Sequence, residues 1–178
     1  MVENEKDKEM RRGIVVLSML GSLLSGCSST GATVEGVPYD ELVQRDNVVY
    51  HNEAPYSGMF FDKNRYGELR AKGYLENGLL QGELFHYGND GKIMKRFHYK
   101  EGKEDGISTT YYDDGSIETL SYFKSGEGQG SWLRYYPSGA IERISYLKND
   151  RPEGEWTYFN EDGSVKERRT YKNGQWVD

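Results

Sequence analysis

Three histidines are the residues of the chain best suited to bind a metal ion, and their spacing decides whether they could do so. They are His51, His86 and His98. His86 and His98 are twelve residues apart, an even spacing that could put both on one face of a sheet, but no HxH or HxxxH pair and no cysteine ligand accompanies them. We therefore expect surface histidines, and we predict neither a metal ion nor any other cofactor.

Other residue types that take part in catalysis lack the neighbours that catalysis requires. Paired carboxylates occur at Asp113-Asp114 and Glu161-Asp162, in segments of turn composition, where a solvated side chain supports the turn. The glycine-rich segment "GEGQGS" (126–131) has neither the following lysine nor the helix that would hold a phosphate. The sequence thus predicts a protein that is not an enzyme.

The single cysteine, Cys27, follows a segment typical of bacterial export signals. The pair "RR" precedes the apolar stretch "GIVVLSMLGSLL", which is shorter than the roughly 20 residues that span a bilayer. Leu24-Ser25-Gly26-Cys27 resembles the lipobox of bacterial lipoproteins. That resemblance implies that the thiol of Cys27 carries a thioether-linked diacylglycerol and that this cysteine is the first residue of the mature chain.

The residues around this signal predict where the protein is anchored. The acidic stretch "MVENEKDKE" before Met10 is unusual for an export signal, which makes Met10 an alternative start of translation. The residue after the cysteine is Ser28 and not an aspartate. This pattern resembles the outer-membrane address of lipoproteins in bacteria with two membranes. We expect a signal peptide at 1–26, a lipidated cysteine with a flexible tether at 27–41, and anchoring to a membrane of the bacterial cell envelope.

Glycines divide the rest of the chain into five copies of a 24-residue repeat, without a gap. The first glycine of each copy is Gly58, Gly82, Gly106, Gly130 or Gly154. A second series lies nine residues later, at Gly67, Gly91, Gly115, Gly139 and Gly163. A third, twenty residues after the first, is interrupted only at Asp150. The period predicts repeats over 58–178, preceded by a half repeat at 42–57.

Each repeat has the length and composition of two strands and two turns. Runs of about six or seven residues rich in Tyr, Trp, Ile and Thr separate the glycines, which indicates strands. The second-series glycines mark a hairpin turn, for which a two-residue turn and a three-residue loop with a glycine bulge both fit. The bulged loop is favoured because it places an aromatic residue opposite an aliphatic one, such as Tyr111 opposite Ile117. The predicted fold is all-β: an elongated antiparallel meander of stacked β-hairpins, about 11 strands long, with no single globular core.

The net charge and the aromatic residues indicate which class of partner the protein could bind. The net charge is −6 and the arginines are interspersed with glutamates, so we expect no nucleic-acid partner. Four aromatic residues occupy strand positions that a sheet with one wet face does not require: Tyr122, Trp132, Tyr146 and Trp156. They either form cross-strand ladders that stiffen the sheet, or lie on one face as a groove that binds a partner.

The repeat, read as "GxWxxYYxxDGxIxxxxxYKNG", resembles the variant MORN repeat of bacteria over about residues 42–177. Such repeats occur in small lipoproteins and in proteins labelled YwqK-family antitoxins. The resemblance implies a β-hairpin array with a binding or scaffolding role and no catalytic residues.

Three binding roles follow as hypotheses. The first is a lipid-anchored scaffold that holds a protein partner at the envelope. The second is a glycan- or cell-wall-binding module, since choline- and glucan-binding proteins also use aromatic hairpin repeats; those repeats usually carry a Gly-Trp pair, whereas Trp occupies one repeat position here in only two of five copies. The third, an antitoxin-like binding protein, is disfavoured by the export signal. The scaffold is the preferred hypothesis.

Overall fold

The structure, a computed structural model, describes residues 35–177. The predicted signal peptide, the residues Leu24-Ser25-Gly26 and the predicted lipidation site Cys27 lie outside the described residues. The described residues are the repeats and the segment that directly precedes them.

Strands and tight turns make up the described chain, and its one helical element is a single 3₁₀ turn, Tyr39–Glu41. The strands before the repeats are Val37–Pro38 (β1), Val43–Arg45 (β2), Val48–His51 (β3) and Ala54–Pro55 (β4). The first two repeats contain Gly58–Lys63 (β5), Leu69–Glu76 (β6), Leu79–Leu80 (β7), Gly82–Tyr87 (β8), Ile93–Lys100 (β9) and Lys103–Glu104 (β10). The other three contain Gly106–Tyr111 (β11), Ile117–Lys124 (β12), Glu127–Gly128 (β13), Gly130–Tyr135 (β14), Ile141–Lys148 (β15), Arg151–Pro152 (β16), Gly154–Phe159 (β17), Val165–Lys172 (β18) and Gln175–Val177 (β19).

One long sheet joins the five repeats. Its strands follow the order β1-β5-β6-β8-β9-β11-β12-β14-β15-β17-β18-β19, with β7, β10, β13 and β16 paired beside this path. All pairs between repeat strands are antiparallel, which confirms the predicted meander of stacked hairpins. The path has 12 strands where about 11 were predicted; the described residues contain 19 in all, because short third strands of four repeats pair beside the path and three strands form a separate sheet.

The first turn of each repeat is the predicted three-residue loop with a glycine bulge. In the third repeat the Gly115 N–H donates to the Tyr112 carbonyl (2.9 Å), and the Tyr112 N–H donates to the Ser116 carbonyl (2.9 Å). Gly115 has φ 89°, a left-handed conformation that glycine adopts at little cost. Tyr111 lies opposite Ile117, with the register shift directly before it. The other four copies repeat this pattern, so the predicted register at the loop is confirmed.

The second turn of each repeat stacks on that of the repeat before it. Asn77 and Gly78 have φ of 51° and 78°, the left-handed pair of a two-residue hairpin turn. The Gly78 N–H donates to the Tyr56 carbonyl (2.7 Å), 22 residues earlier. The same bond recurs as Gly102 to Leu80, Gly126 to Glu104, Asp150 to Gly128 and Gly174 to Pro152. Backbone hydrogen bonds therefore link all five turns in one ladder.

Asp150 takes the place of glycine in this ladder, and its side chain forms a hydrogen bond that glycine could not form. Its φ is 62°, and its Oδ1 accepts a hydrogen bond from the Gly128 N–H at 2.6 Å. Aspartate tolerates the left-handed region better than most residues because its short polar side chain bonds locally. The interruption of the glycine series is thus compensated by a second hydrogen bond to Gly128, whose carbonyl also accepts from the Asp150 N–H.

The segment before the repeats forms a cap instead of the first part of the long sheet. β3 pairs with β2 and β4 in a separate three-stranded sheet, while β1 lies parallel to β5 and covers the edge at which a half repeat was expected. The turn at Asn52 precedes Gly58 by six residues, whereas the turn at Asn77 precedes Gly82 by five. Because of this extra residue, the segment 42–57 does not have the spacing of the repeats. The Tyr56 carbonyl nevertheless takes part in the turn ladder.

A small hydrophobic core lies where this cap covers the first two repeats. It consists of Val49, Phe60, Leu75 and Leu84, which are 1–8% exposed. The positions of Phe60 and Leu84 are occupied in the later repeats by Ser108, Trp132 and Trp156, of which the two tryptophans are only half-buried. The array as a whole is therefore stabilised by contacts between neighbouring hairpins.

Candidate binding surfaces

The long sheet has two faces with different environments, because successive residues of a strand point to opposite sides. We call the side that carries Phe60, Leu84, Trp132 and Trp156 the cap face, since Phe60 and Leu84 pack against Val49 of the cap. The side that carries Tyr74, Tyr122 and Tyr146 is the open face. Directly opposed residues of neighbouring strands share a face, which allows every repeat position to be assigned.

A row of exposed aromatic side chains follows the open face. Tyr74, Tyr122 and Tyr146 occupy one position of the first, third and fourth repeats and are 39–42% exposed. Their cross-strand partners include Met59 (40% exposed) and Ile107 (55% exposed). Equivalent positions in adjacent repeats are two strands apart, about 10 Å, because neighbouring strands lie roughly 4.8 Å apart. Tyr122 and Tyr146 are thus about 10 Å apart, whereas Tyr74 and Tyr122 are about 20 Å apart with His98 at the position between them. We call the line of these three tyrosines the tyrosine row.

The two tryptophans lie on the other face, so the prediction that Tyr122, Trp132, Tyr146 and Trp156 share one face is wrong. Trp132 is opposite Ser145, and Tyr146 is opposite Ser131. The cause is a second bulge, at Glu142 in β15 next to the loop, which shifts the register by one residue between Arg134 and Tyr135. A shift of one residue exchanges the two faces for every residue beyond it.

The tryptophans form the cross-strand ladder that was the alternative expectation. The Trp132 Nε1–H donates to the Tyr122 carbonyl (3.3 Å), and the Trp156 Nε1–H donates to the Tyr146 carbonyl (3.0 Å). The ring centroids of Trp132 and Phe123 are 5.3 Å apart, and those of Trp156 and Tyr171 are 4.6 Å apart. Aromatic pairs at these distances stabilise the packing of adjacent strands. Each tryptophan thus connects its hairpin to the preceding one.

Charged residues on the cap face are largely paired around the same ladder. Arg134 contacts Glu142 (2.8 Å) and Glu118 (3.2 Å). Arg143 lies over the Trp156 ring at 5.5 Å. These contacts occupy Arg134 and the two glutamates in the middle of the cap face, whereas the buried Arg143 Nε has no hydrogen-bond partner in the described residues.

Two concave regions accompany the faces in the first two repeats. A cleft of about 640 Å³ between the cap and the array has an apolar floor that includes Phe60, Leu75 and Leu84. A groove of about 550 Å³ on the open face continues the tyrosine row between Tyr74 and Phe85. Sequence reasoning missed both, although the run of apolar residues in the first two repeats was a visible signal.

The histidines are separated by the fold. His86 is opposite Ala71 and Lys95 on the cap face, whereas His98 is opposite Glu83 on the open face, where its Nδ1 contacts the Asp105 carbonyl at 2.7 Å. Within 35–177, no group of histidine, cysteine and carboxylate side chains is arranged to hold a metal ion. The twelve-residue spacing therefore does not bring His86 and His98 together.

The predicted turn glycines all lie at hairpin tips. Their φ values are between 75° and 89° for Gly67, Gly91, Gly115, Gly139 and Gly163. A methyl group at any of these five positions would meet no atom within 4 Å. Their role is therefore conformational, and the tips themselves are open to solvent. In the part of the chain that the structure describes, no helix has the length and apolarity needed to cross a membrane.

Comparison with known proteins agrees with this repeat geometry. A family model described as "MORN repeat variant" matches three segments of the chain, 104–125, 129–149 and 152–173. No curated protein matches the chain. Each matched segment begins near a short strand and ends near the next second turn, so it spans one hairpin of the array. The chain thus contains MORN-type repeats that form a β-hairpin array, a scaffold compatible with binding.

Proposed function

We propose that the protein is a non-enzymatic, lipid-anchored scaffold of the bacterial envelope whose tyrosine row binds a protein partner. The observation that supports the partner site is the exposure of Tyr74, Tyr122 and Tyr146 in one line on the open face. Tyrosine is enriched at the energetically important centres of protein interfaces. A regular row on a rigid sheet offers an extended partner several such contacts at once.

The proposed anchor is the lipidated thiol of Cys27, and the segment between this cysteine and β1 would separate it from the array; residues 37–41 of the expected tether instead form β1 and the 3₁₀ turn. The support is the sequence Leu24-Ser25-Gly26 before the cysteine, after a short apolar run. Ser28 favours the outer membrane in a cell with two membranes. Cys27→Ser should abolish labelling with a radioactive fatty acid and leave an uncleaved precursor. Normal processing and membrane partitioning of the variant would refute the lipoprotein proposal.

The partner site is tested by removing the row while the fold is kept. Alanine at Tyr74, Tyr122 and Tyr146 should leave the thermal melting temperature within a few degrees, because these rings are about 40% exposed. Capture of a defined partner by crosslinking on membranes should fall at least tenfold. Tyr66, which is 72% exposed in a hairpin loop, provides the matched control, and Tyr66→Ala should capture the same partner normally. Undiminished capture by the triple variant would remove the row as the binding site.

Glycan binding is the second candidate, and the spacing of the row favours it. Rings separated by multiples of about 10 Å along the sheet suit a ligand that is itself a regular polymer, such as a cell-wall glycan with alternating sugars. Screening the soluble repeats against a glycan array separates the two proposals. A glycan ligand that is lost in the triple tyrosine variant would favour this candidate over a protein partner.

A further inference from the structure

A cup of about 500 Å³ lies on the cap face of the first two repeats, beside the hairpin loops. Four of its residues form one directly opposed row across four strands: Asp62, Ala71, His86 and Lys95. Arg70, at the bulge position of β6, also lines the cup. Ala71 has the smallest side chain of the row, so the floor of the cup is deepest at Ala71, between Asp62 and His86.

The charges in this cup are not balanced by the protein. His86 is opposite Lys95, where protonation of the imidazole would place two like charges at directly opposed positions. Within 35–177, neither Arg70 nor Lys95 forms a salt bridge, and Asp62 is the one carboxylate that lines the cup. Two permanently cationic groups therefore converge with an imidazole against a single carboxylate.

The same face shows how the protein neutralises an arginine when no ligand is needed. Arg134 is also directly opposite another cation, Arg143, but Glu118 and Glu142 both contact it at 3.2 Å or less. In the cup, the bulge position of Glu118 and Glu142 is occupied by Arg70 in the first repeat and Met94 in the second. The acids that neutralise Arg134 in the third and fourth repeats are thus replaced by a cation and an apolar residue.

His86 is held in position to take part in binding. Its ring meets the Phe97 ring edge-on, at 5.6 Å between centroids. The pKa of His86 lies below its ordinary value, first because of burial and then because of the charges of Lys95 and Arg70, whereas Asp62 acts in the opposite direction. A negatively charged ligand would reverse the effect of the two cations.

We propose that this cup binds a doubly charged oxyanion, of the phosphate or sulfate class, through Arg70, His86 and Lys95. The guanidinium of arginine offers paired donors to two oxygens of such a group, and lysine contributes a compact positive charge. Protonated His86 adds a third donor, so binding should be tighter at acidic pH and weaken as the pH rises through the pKa of His86. The site is independent of the tyrosine row, which lies on the other face.

The test uses the histidine ring signals in NMR spectra of the soluble repeats, with sodium sulfate as the probe because its charge is constant from pH 5 to 8. Sulfate should shift the His86 signals saturably and raise the His86 pKa well beyond the rise that sodium chloride causes at the same ionic strength. His51 and His98 are internal controls and should respond equally to both salts. Inorganic phosphate and phenyl phosphate, compared at one pH, distinguish a free anion from an esterified one by which binds more tightly.

Variants identify the groups that bind. Arg70→Gln and Lys95→Gln should each weaken sulfate binding at least fivefold and raise the His86 pKa of the free protein. Lys166 occupies the position of Arg70 in the last repeat, and Lys166→Gln is the matched control, with unchanged binding. Equal responses of His86 to sulfate and chloride would overturn the proposal. So would a Lys166→Gln variant that binds as weakly as Lys95→Gln.

Discussion

Replacing Leu75 by alanine should destabilise the protein far more than the same change at Leu147, although both occupy the same repeat position. Leu75 is 1% exposed among Phe60, Leu84 and Val49, so Leu75→Ala removes buried methyl groups and leaves a cavity that the cap cannot fill. The expected cost is about 3 kcal/mol. Leu147 is half-buried with no cap above it, and Leu147→Ala should cost about 1 kcal/mol.

Urea unfolding measured by far-ultraviolet circular dichroism gives the two costs. Because repeat arrays can unfold in segments, hydrogen exchange should be measured on the same variants. Leu75→Ala should accelerate exchange in β5 to β9 first, and Leu147→Ala in β14 to β17. Equal costs for the two variants would refute the inference that the cap creates the one well-buried core of the described residues.

Three further predictions concern the repeat itself. Gly139→Val should lower the free energy of unfolding by about 2 kcal/mol or more, and Gly139→Asn should lower it by much less. The reason is that Gly139 has a φ of 86° with open space around it, so backbone strain decides the cost. Equal losses of the two variants in urea unfolding would exclude backbone strain as the cause. Deletion of 106–129, one whole repeat, should leave a folded array by thermal melting, whereas deletion of 106–117 should not. Thr109→Val should raise stability by up to about 1 kcal/mol, because Thr109 is 1% exposed and its Oγ1 has no partner in the described residues; a lower melting temperature would contradict this.

The parts of the fold that follow from period and turn chemistry could be predicted from the sequence. The glycine series located both turns of every repeat, and pairing aromatic with aliphatic residues selected the bulged loop with Tyr111 opposite Ile117. These features depend on residues close together in the chain. Local sequence therefore contains the information that specifies them.

The faces of the sheet were harder to assign because one bulge residue changes them. Counting from Tyr135 and Ile141 without the bulge puts Trp132 and Tyr146 on the same side, whereas the observed register separates them. A sequence pattern of alternating residues does not state where the register shifts. Of the four residues predicted to share a face, Tyr122 and Tyr146 lie on the open face, and Trp132 and Trp156 belong to the structural ladder on the cap face.

The cap and the oxyanion cup could not be predicted because they depend on contacts between distant segments. β1 is only two residues long and pairs in parallel with β5, and no periodicity marks it. The cup requires residues from four strands that meet only after the register is known. Arg70 and Lys95 are unremarkable in the sequence, and only their convergence on His86 indicates a site.

The most direct test of the proposed binding surface compares two adjacent residues that point to opposite faces. A photo-crosslinking amino acid placed at Tyr122 reports on the open face, and the same amino acid at Phe123 reports on the cap face beside Trp132. In intact cells, the account predicts one defined adduct from position 122 that disappears when Tyr74 and Tyr146 are also replaced by alanine, and no such adduct from position 123. The same adduct from position 123, or its persistence without the tyrosine row, would contradict binding at the open face.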